Sequence, residues 1–229
     1  MLRVLVLAAF LWPMLQQPAA AQETAGGGTY LIFGATTGKT NNPRARPAYM
    51  ADLGLEFGMQ MGLGYAYRGF RLEGQVGYEA FFLNNVLPGS GAVLSDTDIY
   101  GKATGPVAMA NLFFRPGGAG TFQPFVGAGI GVASLTTDFR GDFCSVPLAT
   151  CFTNTKLVGG KETVGAWQWA IGMSKLATDG NSELVIGYRY FTTRDIDVDV
   201  AGYGTVLQDG VESHSLMLSW RWYFGALGR

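Results

Sequence analysis

The sequence predicts an all-β fold, an eight-stranded antiparallel up-and-down transmembrane β-barrel. Three observations carry that expectation. Segment after segment alternates large apolar residues with small or polar ones, the period-two signature of a strand with two different faces. The chain is 48% hydrophobic and only 14% charged, whereas a soluble domain carries about 25% charged residues. Yet beyond the leader no stretch approaches the roughly 20 consecutive apolar residues that a membrane-spanning helix needs. Finally, short and long connections alternate along the chain, as they do when tight turns lie at one end of a barrel and loops at the other.

The leader is set aside first. Met1-Leu2-Arg3 is a short positive start, residues 4–15 are apolar, and small residues follow up to Ala21. This pattern is that of a secretory signal peptide over residues 1–21, and its apolar run is too short to span a bilayer as a helix. Residues 22–28 are then a short periplasmic segment, 29–224 the barrel and 225–229 a C-terminal extension.

Eight segments read as strands: 29–37, 55–67, 70–79, 100–114, 122–135, 161–174, 183–191 and 211–224. In the second, Leu55, Phe57, Met59, Met61, Leu63, Tyr65 and Tyr67 share one face, and Glu56, Gly58, Gln60, Gly62 and Gly64 share the other. The last, with "SLMLSWRWYF", sets Leu216, Leu218, Trp220, Trp222 and Phe224 against Ser215, Met217, Ser219, Arg221 and Tyr223. The facing of 100–114 stays open at this level. Residues 68–69, 115–121 and 176–182 are short connections; 38–48, 82–99, 136–160 and 192–210 are long. A solvated sandwich face would be rich in Lys, Glu and Thr. Here the second face is mostly Gly, Ala, Ser and Gln, which suits a crowded barrel interior. The aromatic and aliphatic face is then the lipid face, with Trp222 and Phe224 at an interfacial girdle.

Seven charges fall on the inward face: Glu56, Arg71, Glu73, Glu79, Glu183, Arg189 and Arg221. An eight-stranded interior is wide enough for side chains or one small ligand. Unpaired charges there are costly, so Arg–Glu pairs that block the path are expected, with the pairing left open by the unknown register.

Other residues that carry chemistry give weaker signals. Cys144 and Cys151, seven apart in an exported chain, are expected to form a disulfide that closes a small loop. Two Cys and one His cannot build a four-ligand zinc site, and no cofactor is expected. "GATTGKT" (34–40) resembles a phosphate-binding loop, but Phe33 stands where the first Gly belongs and "NNPRARP" cannot start a helix. The glycines of "GAGIGV" (127–132) recur at period two and read as small inward positions. "DIDVD" (195–199) opens like a calcium loop, but Val200 and Val206 replace the required Gly and Glu. It reads as a strand extended above the membrane. His214 has Ser213 and Ser215 on the opposite face and is expected to be a rim residue, not a catalytic one. Lys39, Arg44 and Arg46 cluster in the first loop, where cations meet either solvent or lipopolysaccharide phosphates. A net charge of −1 leaves no basic footprint for nucleic acid.

"FRLEGQVGYE", "PFVGAGIGVA", "AWQWAIGMS", "GYRYF" and "HSLMLSWRWYF", in that order, resemble the OmpA-like, opacity-type outer-membrane β-barrels, the porin family of Gram-negative bacteria. The resemblance covers nearly all of 29–224. It implies an outer-membrane location, both termini in the periplasm, four surface loops, and contact with outer-membrane lipid and lipopolysaccharide. It also implies handling by the barrel-assembly machinery, which reads a terminal aromatic residue; here Phe224 is followed by five more residues. No peptidoglycan-binding domain follows the barrel, so cell-wall anchoring is not expected. The role implied is structural or surface contact through the loops with an unidentified extracellular ligand. A small diffusion channel and a lipid-modifying enzyme remain as alternatives from other classes.

Overall fold

The computed structural model describes residues 28–41, 43–45, 49–88, 100–116, 122–145, 150–178, 181–201 and 204–224. The leader, the segment 22–27, Arg46 and the extension 225–229 lie outside the described residues. The strands are β1 (Gly28–Thr40), β2 (Arg44–Ala45), β3 (Tyr49–Tyr67), β4 (Phe70–Pro88), β5 (Tyr100–Phe114), β6 (Phe122–Ser145), β7 (Thr150–Leu176), β8 (Ser182–Thr193), β9 (Ile196–Val200), β10 (Gly204–Gln208) and β11 (Glu212–Tyr223).

Eight of these form the expected ring. Neighbours in sequence pair antiparallel from β3 to β8, β8 pairs with β11, and β1 closes the circle by pairing with both β11 and β3. Closure leaves no free edge, which hydrocarbon requires because it offers no partner to an exposed N–H or C=O. Arg68 and Gly69 turn β3 into β4 in two residues, with φ of 46° and 84°. Positive φ at both centres is the hairpin turn whose twist matches the strands, and Gly69 takes the second site without strain.

The two faces separate as the alternation predicts. Met61 and Ile130 are 54% and 73% exposed on the outside, while Arg221 is 2% exposed inside. The facing of β5 is now settled: Ala103, Val107, Met109, Asn111 and Phe113 point in, and Tyr100, Lys102, Leu112 and Phe114 point out. Gly127, Gly129 and Gly131 are inward positions, and a Cβ on each would collide with Phe113, Asn111 and Met109 respectively. Small residues on β6 thus make room for large ones on β5.

Much of what the sequence presents as long loops is strand instead. β6 runs to Ser145 and β7 begins at Thr150, so most of 136–160 is a hairpin. Lys39 lies in β1 and Arg44 in β2, not in a loop. Above the ends of β1, β8 and β11 the wall continues through β9, β10 and β2: β9 pairs with β7, β10 with β9 and β2, and β2 with β3. This makes a second closed circuit of eight strands, sharing β3 to β7 with the first. In this upper storey the polarity of the faces is reversed. Leu53, Phe81, Leu135, Phe139, Val158, Ile196 and Val198 fill the interior, and Thr136, Arg140, Lys156, Lys161, Asp197 and Asp199 face out. Alternation continues along the strand, but outside is now water and the core must be apolar.

The lipid face can be tested by charge. Met61→Arg is expected to destabilise the folded barrel by about 2–4 kcal/mol, the range for a cation near the bilayer midplane. Arg at Gln60, on the inward face, is expected to be tolerated differently. Folding into lipid vesicles, followed by heat-modifiable gel mobility, measures both; equal tolerance at the two positions would reject the facing.

Candidate functional site

All seven inward charges predicted from sequence line the lumen, and each is buried. Strand register groups them into two layers. Along β4, Glu73 and Glu79 are six residues apart, about 20 Å at strand rise.

The lower layer is built on Glu73 and Glu183. Arg221 holds Glu73 with Nη2 at 2.7 Å and Nε at 2.9 Å from Oε1. The Tyr30 hydroxyl donates to the same Oε1 at 2.7 Å, and Gln75 donates to Oε2 at 2.7 Å. Glu183 receives Arg71 at 2.8 Å on Oε1 and the Tyr223 hydroxyl at 2.8 Å on Oε2. Arg221 approaches it at 3.8 Å and Arg115 at 3.7 Å. The Arg221 guanidinium also lies 5.8 Å from the Tyr30 ring centre and 5.7 Å from that of Phe113. These contacts suit its flat cation, which binds carboxylates by its edges and rings by its face.

The upper layer is built on Arg189. Its Nη2 is 2.5 Å from Glu56 and its Nη1 2.7 Å from Glu79. Its Nε donates to Ser215 at 3.2 Å and Nη2 to Thr36 at 3.3 Å. Gly58 makes this convergence possible, because a Cβ there would strike both the Glu79 carboxylate and the Thr36 hydroxyl. Between and beside the layers, Gln168 donates to Asn111 at 2.6 Å.

Several of these residues escape sequence reasoning. Arg115 reads as part of a turn, although its parity with Asn111 and Phe113 points it inward. Tyr223 shares the inward face with Arg221, but neither it nor Tyr30 is singled out by the sequence; both are buried against the lumen carboxylates.

The remaining candidates do not join this site. Lys39 and Arg44 are exposed, and Arg44 contributes its carbonyl to the Asp209 N–H at 2.9 Å. "GATTGKT" lies wholly within β1, so no helix N-terminus follows it. "DIDVD" overlaps β9: Asp195 precedes the strand, Asp197 and Asp199 face outward, and Ile196 and Val198 are buried. His214 points outward, its Nδ1 hydrogen-bonded with the Tyr188 hydroxyl, while Ser213 and Ser215 point in. Cys144 and Cys151 are register partners across β6 and β7; their side chains lie outside the described residues.

The fold has solved counterparts. The crystal structure of Neisserial surface protein A superposes with a TM-score of 0.51 at 16% identity, covering 87% of this chain and 99% of that one. The outer-membrane protein OprG from Pseudomonas aeruginosa also gives 0.51, at 14% identity, covering 87% and 97%. No family model matches the chain, and no curated protein matches it by sequence. At such identities the likeness concerns architecture: the chain has the fold of an eight-stranded outer-membrane β-barrel.

Removing Arg189 tests the upper layer. Arg189→Ala leaves Glu56 and Glu79 facing each other without a cation and is expected to destabilise the barrel by about 3–5 kcal/mol. Adding Glu56→Gln and Glu79→Gln is expected to recover most of that loss. Urea unfolding in lipid vesicles measures the series.

Proposed function

We propose that the chain is a non-enzymatic outer-membrane barrel of the OmpA-like, opacity-type group. Its lumen is closed, and its role is envelope structure or contact with something outside. The single observation that supports closure is the position of Arg189, clamped between Glu56 and Glu79 from the other side of the ring. A solute would have to break that clamp and then the Arg71–Glu183 and Arg221–Glu73 pairs below it. Each is a buried, charge-assisted contact whose loss leaves an uncompensated charge. The apolar filling of the upper storey, with Leu135, Phe139 and Ile196 at most 2% exposed, is a second barrier to ions and water. What remains available to a partner is the outer surface and the hairpins above the lipid belt.

The outward His214, with its ring neighbours Tyr188 and Tyr190, supports a rim role for this residue. Lipopolysaccharide is the partner expected at the cationic positions Lys39 and Arg44, which stand at the upper margin of the wall. Arg46 belongs to the same sequence cluster.

The Cys144–Cys151 bridge belongs to the same reading. Register partners on antiparallel strands have Cα atoms about 4.5–5.5 Å apart, inside the roughly 4.4–6.8 Å span of disulfides. The backbone ladder thus supports the pairing. The bridge would tie the end of the β6–β7 ladder, well above the lipid belt.

Two outcomes are expected. In planar bilayers the purified protein passes little current, with rare small openings that become frequent when Arg71, Arg189 or Arg221 is replaced by Ala. Large, steady conductance from the unmutated protein would replace this reading with that of a small diffusion channel. On intact cells, a thiol reagent is expected to label the protein only after reduction; labelling without reductant would show free thiols.

A further inference from the structure

Around the ring, the upper margin of the lipid-facing wall is uneven. On β7, β8 and β11 five rings gather on the outside. Trp167 and Tyr190 lie 5.3 Å apart between ring centres, Trp169 stacks on Tyr190 at 5.9 Å, Trp169 meets Tyr188 at 5.3 Å, and His214 meets Tyr190 at 5.1 Å. The other walls carry single aromatics or aliphatic residues at this height, such as Leu55 on β3 and Phe82 on β4.

Arg194 stands immediately above this platform. Its N–H donates to the Gly165 carbonyl at 2.9 Å. Its side chain lies along the outer wall at Gly165, where a Cβ would sit 3.6 Å from its Cδ and Nε. Gly165 is two residues from Trp167 on the same outward face of β7. Among the described residues Arg194 has no ion-pair partner. Higher on β7, about 13 Å on at strand rise, opens a groove of about 580 Å³ lined by Lys156, Lys161, Thr136 and Asp199.

We propose that this wall seats one phosphorylated glycolipid of the outer leaflet. The acyl chains run down the apolar belt and the sugar rings lie against the aromatic platform. One phosphate meets Arg194, and further anionic groups reach the lysines of the groove. Each part of the site matches one part of such a lipid. Flat rings at a membrane–water boundary present apolar faces to sugar C–H groups while staying at headgroup level. An unpaired guanidinium at that boundary presents a fork of donors to phosphate. Two carboxylates sharpen the choice. Glu212 sits beside Tyr190 and Asp199 lies in the groove; both repel a bare anion but accept hydrogen bonds from sugar hydroxyls. A phospholipid without sugars satisfies the arginine alone.

This site rests on the outer-membrane reading, but its test does not depend on conductance or on cellular location. Folded protein is mixed in detergent with bis-phosphorylated lipid A, with the same lipid dephosphorylated, and with phosphatidylglycerol, and retention is read by native mass spectrometry. Bis-phosphorylated lipid A is expected to be retained one to one, and the other two about tenfold more weakly. Arg194→Ala is expected to lose about tenfold. Trp167→Leu, which keeps the belt apolar but removes the platform, is expected to lose in the same direction. Lys102→Ala, on the β5 wall, is expected to change nothing, and heat-modifiable mobility confirms that each variant is folded. Equal retention of phosphatidylglycerol, an unaffected Arg194→Ala, or a dimer as the species occupying this face would overturn the proposal.

Discussion

The constraint on which the rest depends is that a peptide group in hydrocarbon must find its hydrogen-bond partner inside the protein. A sheet meets it only by closing, and here closure is made by β1, bonded to β11 on one side and β3 on the other. Closing on eight strands fixes a narrow interior, and the narrowness then dictates the inward residues. Some of the largest inward side chains fit because a glycine stands opposite. Tyr30 occupies the space a Cβ on Gly64 would need, and Phe113 occupies that of Gly127. Charges enter only in contact with one another. The lower layer sets three arginines against two glutamates, and the upper layer one arginine against two. The lumen is therefore neutral in sum and polarised along its length, positive toward the turn end and negative toward the upper storey.

The same strands serve two solvents. Along β6, Val126 and Ile130 face lipid, with Gly127 and Gly129 inside; farther up, Thr136 and Arg140 face water, with Leu135 and Phe139 inside. The backbone does not change where this happens. What changes is which face is apolar, and the change near Ala133 and Ser134 marks the upper edge of the lipid belt. Three strands of the lower ring stop near that height, and three short ones replace them in the wall. The upper storey is held together by an ordinary hydrophobic core, whereas the lower ring combines its ladder and buried ion pairs with two small apolar clusters.

How much of this was legible in the sequence follows from the same reversal. The lower ring was readable because apolar-out alternation over β3, β4, β7 and β11 has no soluble equivalent on so sparse a charge. The seven inward charges were readable because parity alone places them. The pairing was not, since it needs the register across the ring: Arg71 and Glu183 are 112 residues apart, Arg189 and Glu56 133. The upper storey was missed because its polarity runs the other way. Once Thr136, Asp138 and Arg140 are taken as loop, the period-two pattern of Leu135, Thr137 and Phe139 behind them goes unread. Arg115 was lost because its Arg-Pro-Gly-Gly context says turn, although inward parity continues one residue past the last strand position.

The ion pairs of the lumen, set beside its small apolar clusters, reflect the route such a chain must take. Replacing a buried ion pair with well-packed apolar residues is often neutral or stabilising in the folded state, so the fold alone does not demand these arginines and glutamates. The unfolded chain does. With Glu56 and its neighbours apolar, β3 would present about a dozen apolar residues in a row, and longer runs would begin to resemble a membrane-spanning helix. Such runs also raise the tendency to aggregate through exposed strands. Polar residues at every second position prevent that while leaving the lipid face intact. Confined to a narrow interior, those that are charged must then pair. The Arg189 and Arg221 clamps are thus where two demands meet: a chain that stays polar until it folds, and a barrel that tolerates no lone charge once it has.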